Sequence, residues 1–504
     1  MRPLPAWVKA LVAITVVRVV LGAITPVVPE EAYHWNYACH LDWSYYDHPP
    51  MVAWVIALGR AIFGDTPFGV RFVPILLAIG TAVVLARFAE RLGGAKAALW
   101  TVLLLTLQPI LFAVGGTGFP DAPLLFFWSL AMTLAWRAID PASRPDEALR
   151  RASAKWYWLA AGAALGAAML SKYTAAFLVF FIFIHLITSK RDRRWLATPW
   201  PYLAGVVALA VFSPVIYWNW THQWASFKFQ SVDRLKEAGE GIKPVTGLIY
   251  VGGQLAAMLI LTLPLAVLAL RRDARSDQPV HRYLFWSFVP MSVFFFALSW
   301  TRTVHLMWPM PAYVGLTVAM ALHIARGEGS IVRFYESKAR WLVGLAAVGL
   351  IGAAAHAAFF LPLVFPMRGL YGYAEAAAKA KEIRATLPAN AFYLGIGRKY
   401  TCTSQLAFHL RAPTDVHGRN LVGRKGLQYD FWADPVALQG RDAVIVVEDS
   451  ERMSVMEDAL RNSFDSVERA GEISVAIGRH SYFPVKPVQF TFLIARGYRG
   501  VPAK

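Results

Sequence analysis

Apolar residues run through the first three-quarters of this chain in long blocks separated by short polar connections. A helix needs about 20 apolar residues to cross a hydrocarbon core about 30 Å thick. Blocks of that kind lie near residues 6–26, 67–89, 96–114, 120–138, 156–170, 173–188, 196–217, 247–270, 283–300, 306–325 and 341–363. They predict about eleven spans. Residues 51–63 are apolar on one face but too short to cross, and are expected to lie flat on the outer surface. Beyond residue 363 the pattern shortens: 373–387 reads as an Ala-rich helix, 391–396 as a strand, 404–410 as a helix and 442–447 as a strand, with β-type stretches up to 494. The expected architecture is a polytopic α-helical membrane protein, residues 1–364 forming the transmembrane domain and 365–504 a soluble α/β domain.

Composition agrees. Of 504 residues, 57% are hydrophobic and only 16% charged, too apolar for an ordinary soluble domain. The net charge of +18 raises the question of nucleic acid, and its distribution answers it. Basic residues bunch in alternate connections: Arg87, Arg91 and Lys96; Arg137, Arg144, Arg150, Arg151 and Lys155; Lys190 to Arg194; Arg271, Arg272 and Arg275; Arg326, Arg333, Lys338 and Arg340. By the positive-inside rule these connections are cytoplasmic. The charge is topological, and no nucleic-acid partner is expected.

An odd number of spans starting inside leaves the C-terminal domain outside, with outer loops at 27–66, 115–121 and 218–246. Arg18 interrupts the first apolar run and no small-residue cleavage pattern clearly follows, so this run is expected to stay as an anchor. Cys39 and Cys402 both fall outside, where a disulfide is chemically permitted.

Chemistry concentrates in the outer loops. Glu30 and Glu31 stand at the outer end of the first span among aromatics, where a carboxylate has the means to act as general base on an acceptor hydroxyl. The opposing reading is a solvated pair of acids. Asp121, in the second loop, is a candidate to share that role or hold the acceptor, or to cap the helix that follows. Lys172 lies in a turn whose arms, about 15–16 residues each, reach roughly 23 Å at 1.5 Å per residue. The turn is therefore expected to be recessed below the outer surface, with the ammonium facing a partner such as phosphate; the opposing reading is snorkelling. Arg302 and His305 are weaker candidates for the same anionic group. Tyr45, Tyr46, Asp47, His48, Trp220 and His222 are candidates to line the substrate site. Asp47 and His48 form a poor metal signal, so no metal or other cofactor is required, with a divalent ion kept as an alternative. No Walker-type loop, dinucleotide fingerprint or zinc spacing is present in the sequence.

Taken in order, Glu30-Glu31-Ala32-Tyr33-His34-Trp35, Tyr45-Tyr46-Asp47-His48-Pro49-Pro50, Gly64-Asp65-Thr66-Pro67 with Arg71, Pro120-Asp121-Ala122-Pro123, Leu170-Ser171-Lys172-Tyr173-Thr174 and residues 219–227 resemble the bacterial glycosyltransferase family 39-like proteins of the GT-C superfamily, relatives of protein O-mannosyltransferases and the aminoarabinose lipid A transferase. Residues 397–410 and 428–435 also resemble the outer domain of bacterial members. The resemblance implies inverting transfer of a sugar from a polyprenyl phosphate donor to a hydroxyl of a glycolipid, lipid A or protein acceptor. It places the reaction at the periplasmic face of the inner membrane, among membrane lipids. It also implies that the family's first-loop acid, aspartate in most members, matches Glu30 here, with either Glu30 or Glu31 as the base, and that its second-loop acid matches Asp121. Two rival functions are weighed against it: a sugar-lipid transporter, which needs no base, and a non-catalytic scaffold presenting the outer domain.

Overall fold

The computed structural model describes residues 3–140, 147–233, 241–256, 261–359, 370–448, 453–476 and 487–501. The expected domain boundary at 364, the end of the last expected span, Arg144, and residues 234–240 of the third outer loop lie outside the described residues. The chain folds as two compact units. One comprises Met1–Gly22, His48–Val55 and Arg71–Leu350; the other comprises Ala23–Asp47, Ile56–Val70 and Ile351–Lys504. Glu30 and Glu31 therefore belong to the same unit as the C-terminal residues, whereas residues 48–55 belong to the other unit.

The helical elements begin with α1 (Ala6–Ile24), α2 (Pro29–Cys39), α3 (Met51–Phe63), α4 (Pro67–Leu107), α5 (Pro109–Val114), α6 (Asp121–Ile139), α7 (Glu147–Ser171), α8 (Phe177–Thr188) and α9 (Trp200–Thr221). They continue with α10 (Pro244–Gln254), α11 (Leu263–Ala274), α12 (Pro279–Ser299), α13 (Met310–Arg326) and α14 (Ser330–Phe359). Among the described residues, α1, α4, α6, α9 and α12 are each long and apolar enough to cross a membrane.

The second and third expected spans form the two arms of α4. They are broken at Gly93 and Gly94, and Gly94 sits at φ 76°, where a side chain is strained. The second arm stops at Leu107 because Pro109 lacks an N–H and drives Gln108 into an extended conformation. α13 is buried from Met310 to Ile324, as befits a helix apolar on all sides. α7 and α9 touch backbone to backbone: a Cβ at Gly162 would stand 2.2 Å from Ala204 O, and one at Gly166 2.6 Å from Ala208 O. That small-xxx-small spacing is how membrane helices approach closely, and it fixes α7, whose last residue precedes Lys172.

In the second unit, α15 (Tyr373–Arg384), α16 (Thr401–Leu410) and α17 (Met453–Ser463) accompany β1 (Phe392–Ile396), β2 (Val416–His417), β3 (Ala443–Glu448), β4 (Phe464–Val475) and β5 (Val488–Tyr498). The sheet order is β2-β1-β3-β5-β4. β1 is parallel to β2 and β3, while β5 is antiparallel to β3 and β4. The unbroken apolar runs of β1 and β3 are buried along almost their whole length, which is the pattern of central parallel strands covered on both faces. Helix α2 packs on α16: Trp35 meets Phe408 at 5.3 Å, and Gln405 Nε2 donates to Val27 O at 3.0 Å.

Candidate active site

Within the helical unit, the turn between α7 and α8 carries Lys172, at the helix ends remote from the basic connections. Its Nζ lies 2.7 Å from Asp121 Oδ1, and the two side chains are 14% and 3% exposed. Asp121 is the first residue of α6 and makes no capping hydrogen bond; its carboxylate goes to Lys172 instead. The expectation of a recess rested on two short arms, and the first is not short. α7 has 25 residues, because the helix continues through the basic segment from Glu147, and it reaches roughly 37 Å at 1.5 Å per residue. Lys172 is withdrawn from solvent by packing around the turn rather than by arm length.

Neighbouring groups lock that turn. Tyr173 Oη and Ser226 Oγ are 2.7 Å apart, and the Tyr173 ring meets Phe227 at 5.7 Å and Phe212 at 6.3 Å. Asn219 accepts the Phe227 N–H at 3.1 Å through Oδ1 and the Trp224 N–H at 2.6 Å through its carbonyl. Residues 170–174 and 219–227 are thus one assembly. His222 stacks on Trp218 at 4.1 Å with Nδ1 2.9 Å from Trp218 O, whereas Trp220 is 69% exposed. Arg302 is half-buried and His305 exposed, its ring 5.4 Å from Trp308, in the turn between α12 and α13.

In the other unit, the two first-loop acids have different surroundings. Glu31 is fully buried and its Oε2 accepts the Val28 N–H at 3.0 Å, closing the first turn of α2. Glu30 is only half-buried, and its charge contributes to raising the Tyr400 phenol, after burial itself. Asp47 is buried and accepts hydrogen bonds from both Tyr33 (3.1 Å) and Tyr37. Burial, and then the charge of Asp47, hold both phenols well above their ordinary pKa. The Tyr33 hydroxyl accepts the Gln428 N–H at 3.1 Å, its ring stacks on Tyr400 at 4.0 Å, and Gln428 Oε1 accepts the Tyr46 N–H at 2.6 Å.

Tyr45 is completely buried and stacked on Tyr37 at 4.1 Å, its hydroxyl among the main-chain groups of Tyr37, His40 and Asp42. Tyr46 and His48 are half-buried. Cys39 and Cys402 are free thiols; burial pushes Cys39 up to about 12, and Cys402 Sγ lies 3.5 Å from Val446 O. Sequence reasoning gave no role to Tyr33, Tyr37, Tyr400 or Gln428. The signal available was only that 397–410 and 428–435 resemble an outer domain.

Residues 47–218 match the dolichyl-phosphate-mannose-protein mannosyltransferase family. The lipid A galacturonosyltransferase RgtD of Rhizobium johnstonii is 25% identical over 69% of this chain and 69% of its own length. The undecaprenyl phosphate-alpha-4-amino-4-deoxy-L-arabinose arabinosyl transferase of Pseudomonas paraeruginosa is 26% identical, over 65% of this chain and 58% of its own. The crystal structure of ArnT from Cupriavidus metallidurans bound to undecaprenyl phosphate superposes with a TM-score of 0.67 at 16% identity, covering 97% of this chain and 98% of that one. The likeness to ArnT shows a shared fold.

The family match covers the buried Lys172–Asp121 pair but only part of the aromatic first loop, since Glu30 and Glu31 precede residue 47. Among the described residues, Asp273, His281 and His323 bring three possible ligand atoms within 4.8 Å of one another. Arg326 Nη2 lies 2.6 Å from His281 Nε2, and a guanidinium only donates, so the imidazole proton sits on Nδ1, 2.7 Å from Asp273 Oδ1. His323 Nε2 stands 2.8 Å from the same oxygen. A carboxylate accepting two imidazole N–H groups accounts for the triad without an ion.

Proposed function

We propose that this protein is an inverting glycosyltransferase that moves a sugar from a polyprenyl phosphate donor to an acceptor hydroxyl at the periplasmic face of the bacterial inner membrane. The observation that carries this reading is the Lys172–Asp121 pair, a cation held at the helix ends remote from the basic connections. Asp121 uses one donor direction of the ammonium, which has three N–H groups. The others are available to a phosphate whose lipid tail stays in the bilayer. Similarity to RgtD and to the arabinosyl transferase supports a lipid-linked sugar as donor and a lipid A-type glycolipid as acceptor.

In this reaction Glu30 removes the proton of the acceptor hydroxyl, and the oxygen attacks the anomeric carbon from the face opposite the phosphate. The bond from that carbon to the phosphate oxygen breaks, its electron pair stays on the phosphate, and polyprenyl phosphate leaves. Lys172 stabilises the charge that develops there. Glu31, committed to the Val28 N–H, shapes the loop and leaves the base role to Glu30. Arg302 and His305 are secondary phosphate candidates, and Tyr46, His48, Trp220 and His222 are the substrate-lining candidates with exposed surface.

The test is mass spectrometry of envelope lipids and proteins from cells with wild-type protein, Glu30→Gln, or none. Loss of one sugar mass from one acceptor in both deficient strains is the expected result. A modification that survives Glu30→Gln but vanishes without the protein would identify a transporter rather than a transferase.

A further inference from the structure

Arg18 lies in the middle of apolar α1 and is 8% exposed. An arginine inside a membrane helix is costly to insert, so its surroundings should show what offsets that cost. Nη2 donates to Phe112 O at 3.3 Å, and the guanidinium carbon is 4.6 Å from the centre of the Phe112 ring. Among the described residues no carboxylate pairs with it, and Nε has no hydrogen-bond partner. The arginine is therefore committed to one place, the carbonyl end of α5, where the helix dipole is negative and backbone acceptors are left over.

The segment after α5 is built to receive it. A Cβ at Gly115 would stand 3.1 Å from Ala78 Cβ and 3.4 Å from Arg18 Nη2, and one at Gly116 would stand 3.2 Å from Arg18 Cγ. From there the chain reaches Asp121 through consecutive hydrogen-bonded turns. Thr117 donates to Val114 O through both N and Oγ1, the Ala122 N–H goes to Phe119 O, and the Leu124 N–H goes to Pro120 O. Ala122 and Leu125, in the first turns of α6, line the same small cavity as Arg18, together with Thr81 and Thr106. Those threonine hydroxyls donate to their own helix, at Leu77 O and Val102 O. The guanidinium thus lies beneath both the loop 115–120 and the wall that carries Asp121.

We propose that Arg18 is the positioning residue for Asp121: it braces the second outer loop from below, so that the carboxylate meets Lys172 and holds its ammonium in place. Arg18 itself touches no substrate. The functional part of this inference rests on the role given above to the Asp121–Lys172 pair; the brace itself does not.

The test uses full-length protein in liposomes with a polyprenyl-phosphate sugar. Arg18→Met is expected to lower kcat about tenfold with KM for the donor nearly unchanged, and Arg18→Lys to restore part of the loss, since an ammonium still donates to Phe112 O. In an Asp121→Asn background Arg18→Met should cost less than about twofold more, because residues acting through one another are not additive. Multiplicative losses would overturn the proposal. A readout without turnover accompanies it: Thr117→Cys should react faster with a membrane-impermeant maleimide, mapped to residue 117, when Arg18 is Met, and an unchanged rate refutes the brace. If Arg18→Met does not fold, Gly116→Ala crowds the same contact on a backbone that tolerates alanine and should show the same pattern. Full activity of Asp121→Asn would sink the role given to the ion pair while leaving the labelling test of the brace intact.

Discussion

Lys172 Nζ stands 2.7 Å from Asp121 Oδ1, joining the turn between α7 and α8 to the first residue of α6 across 51 positions of sequence. Breaking a buried pair leaves one charge uncompensated, at about 3–5 kcal/mol, whereas removing both partners costs less. Lys172→Met and Asp121→Asn should each lower the melting temperature, and the double variant should recover part of that loss. Lys172→Met should also reduce sugar transfer by about 100-fold or more, the scale of losing one charge stabiliser in a transition state. A thermal melt beside a transfer assay on the same three proteins checks both effects.

The two adjacent acids should separate cleanly. Glu31 accepts the Val28 N–H from a buried position, so Glu31→Ala should cost about 1 kcal/mol of stability, as the loss of a helix cap does. Glu30→Gln should leave the melt unchanged and reduce turnover by about 10²–10⁴. The reverse assignment would appear as normal turnover in Glu30→Gln.

Tyr33 both accepts from Gln428 N–H and donates to Asp47. Tyr33→Phe leaves a buried amide and a buried carboxylate each short of a partner, a cost of about 1–3 kcal/mol. Protease resistance of the C-terminal unit should fall accordingly, and Tyr33→Phe combined with Tyr37→Phe should fall further because Asp47 then loses both phenols.

Burial, and next the charge of Arg441, push His417 down to about 4. A histidine in the unfolded chain has a pKa of about 6.5, so between those values the unfolded state binds more protons. Stability from this group is therefore complete above about pH 6.5 and falls as pH drops towards 4. Acidifying from pH 7 to 5 should cost about 1–2 kcal/mol, and His417→Asn should flatten that part of the stability-pH curve in urea melts.

Much of this was readable along the chain. Apolar blocks gave the helices. The continuous apolar runs of β1 and β3 announced strands, while the two-residue β2 is too short to carry a periodic signal, and α17 escaped although Met456, Ala459 and Leu460 recur at helical spacing. The chemistry of the connecting loops was visible as composition only. Nothing in the sequence distinguished Glu30 from Glu31; the Val28 N–H did, because a backbone donor at a helix start selects the acid three residues on. α7 is longer than the apolar run at 156–170, since a helix extends into a charged connection without any apolar residue marking its start.

The sequence by itself determined that this is a membrane protein with aromatic and acidic connecting loops, because partitioning into lipid depends on residue type summed over short windows. Only the tertiary structure decided that Lys172 answers to Asp121 and that Arg18 reaches the end of α5. It also decided that Asp47 is spent on two tyrosines. Such pairings join residues far apart in the chain, and their distances are set by how helices pack, a quantity that no local window contains.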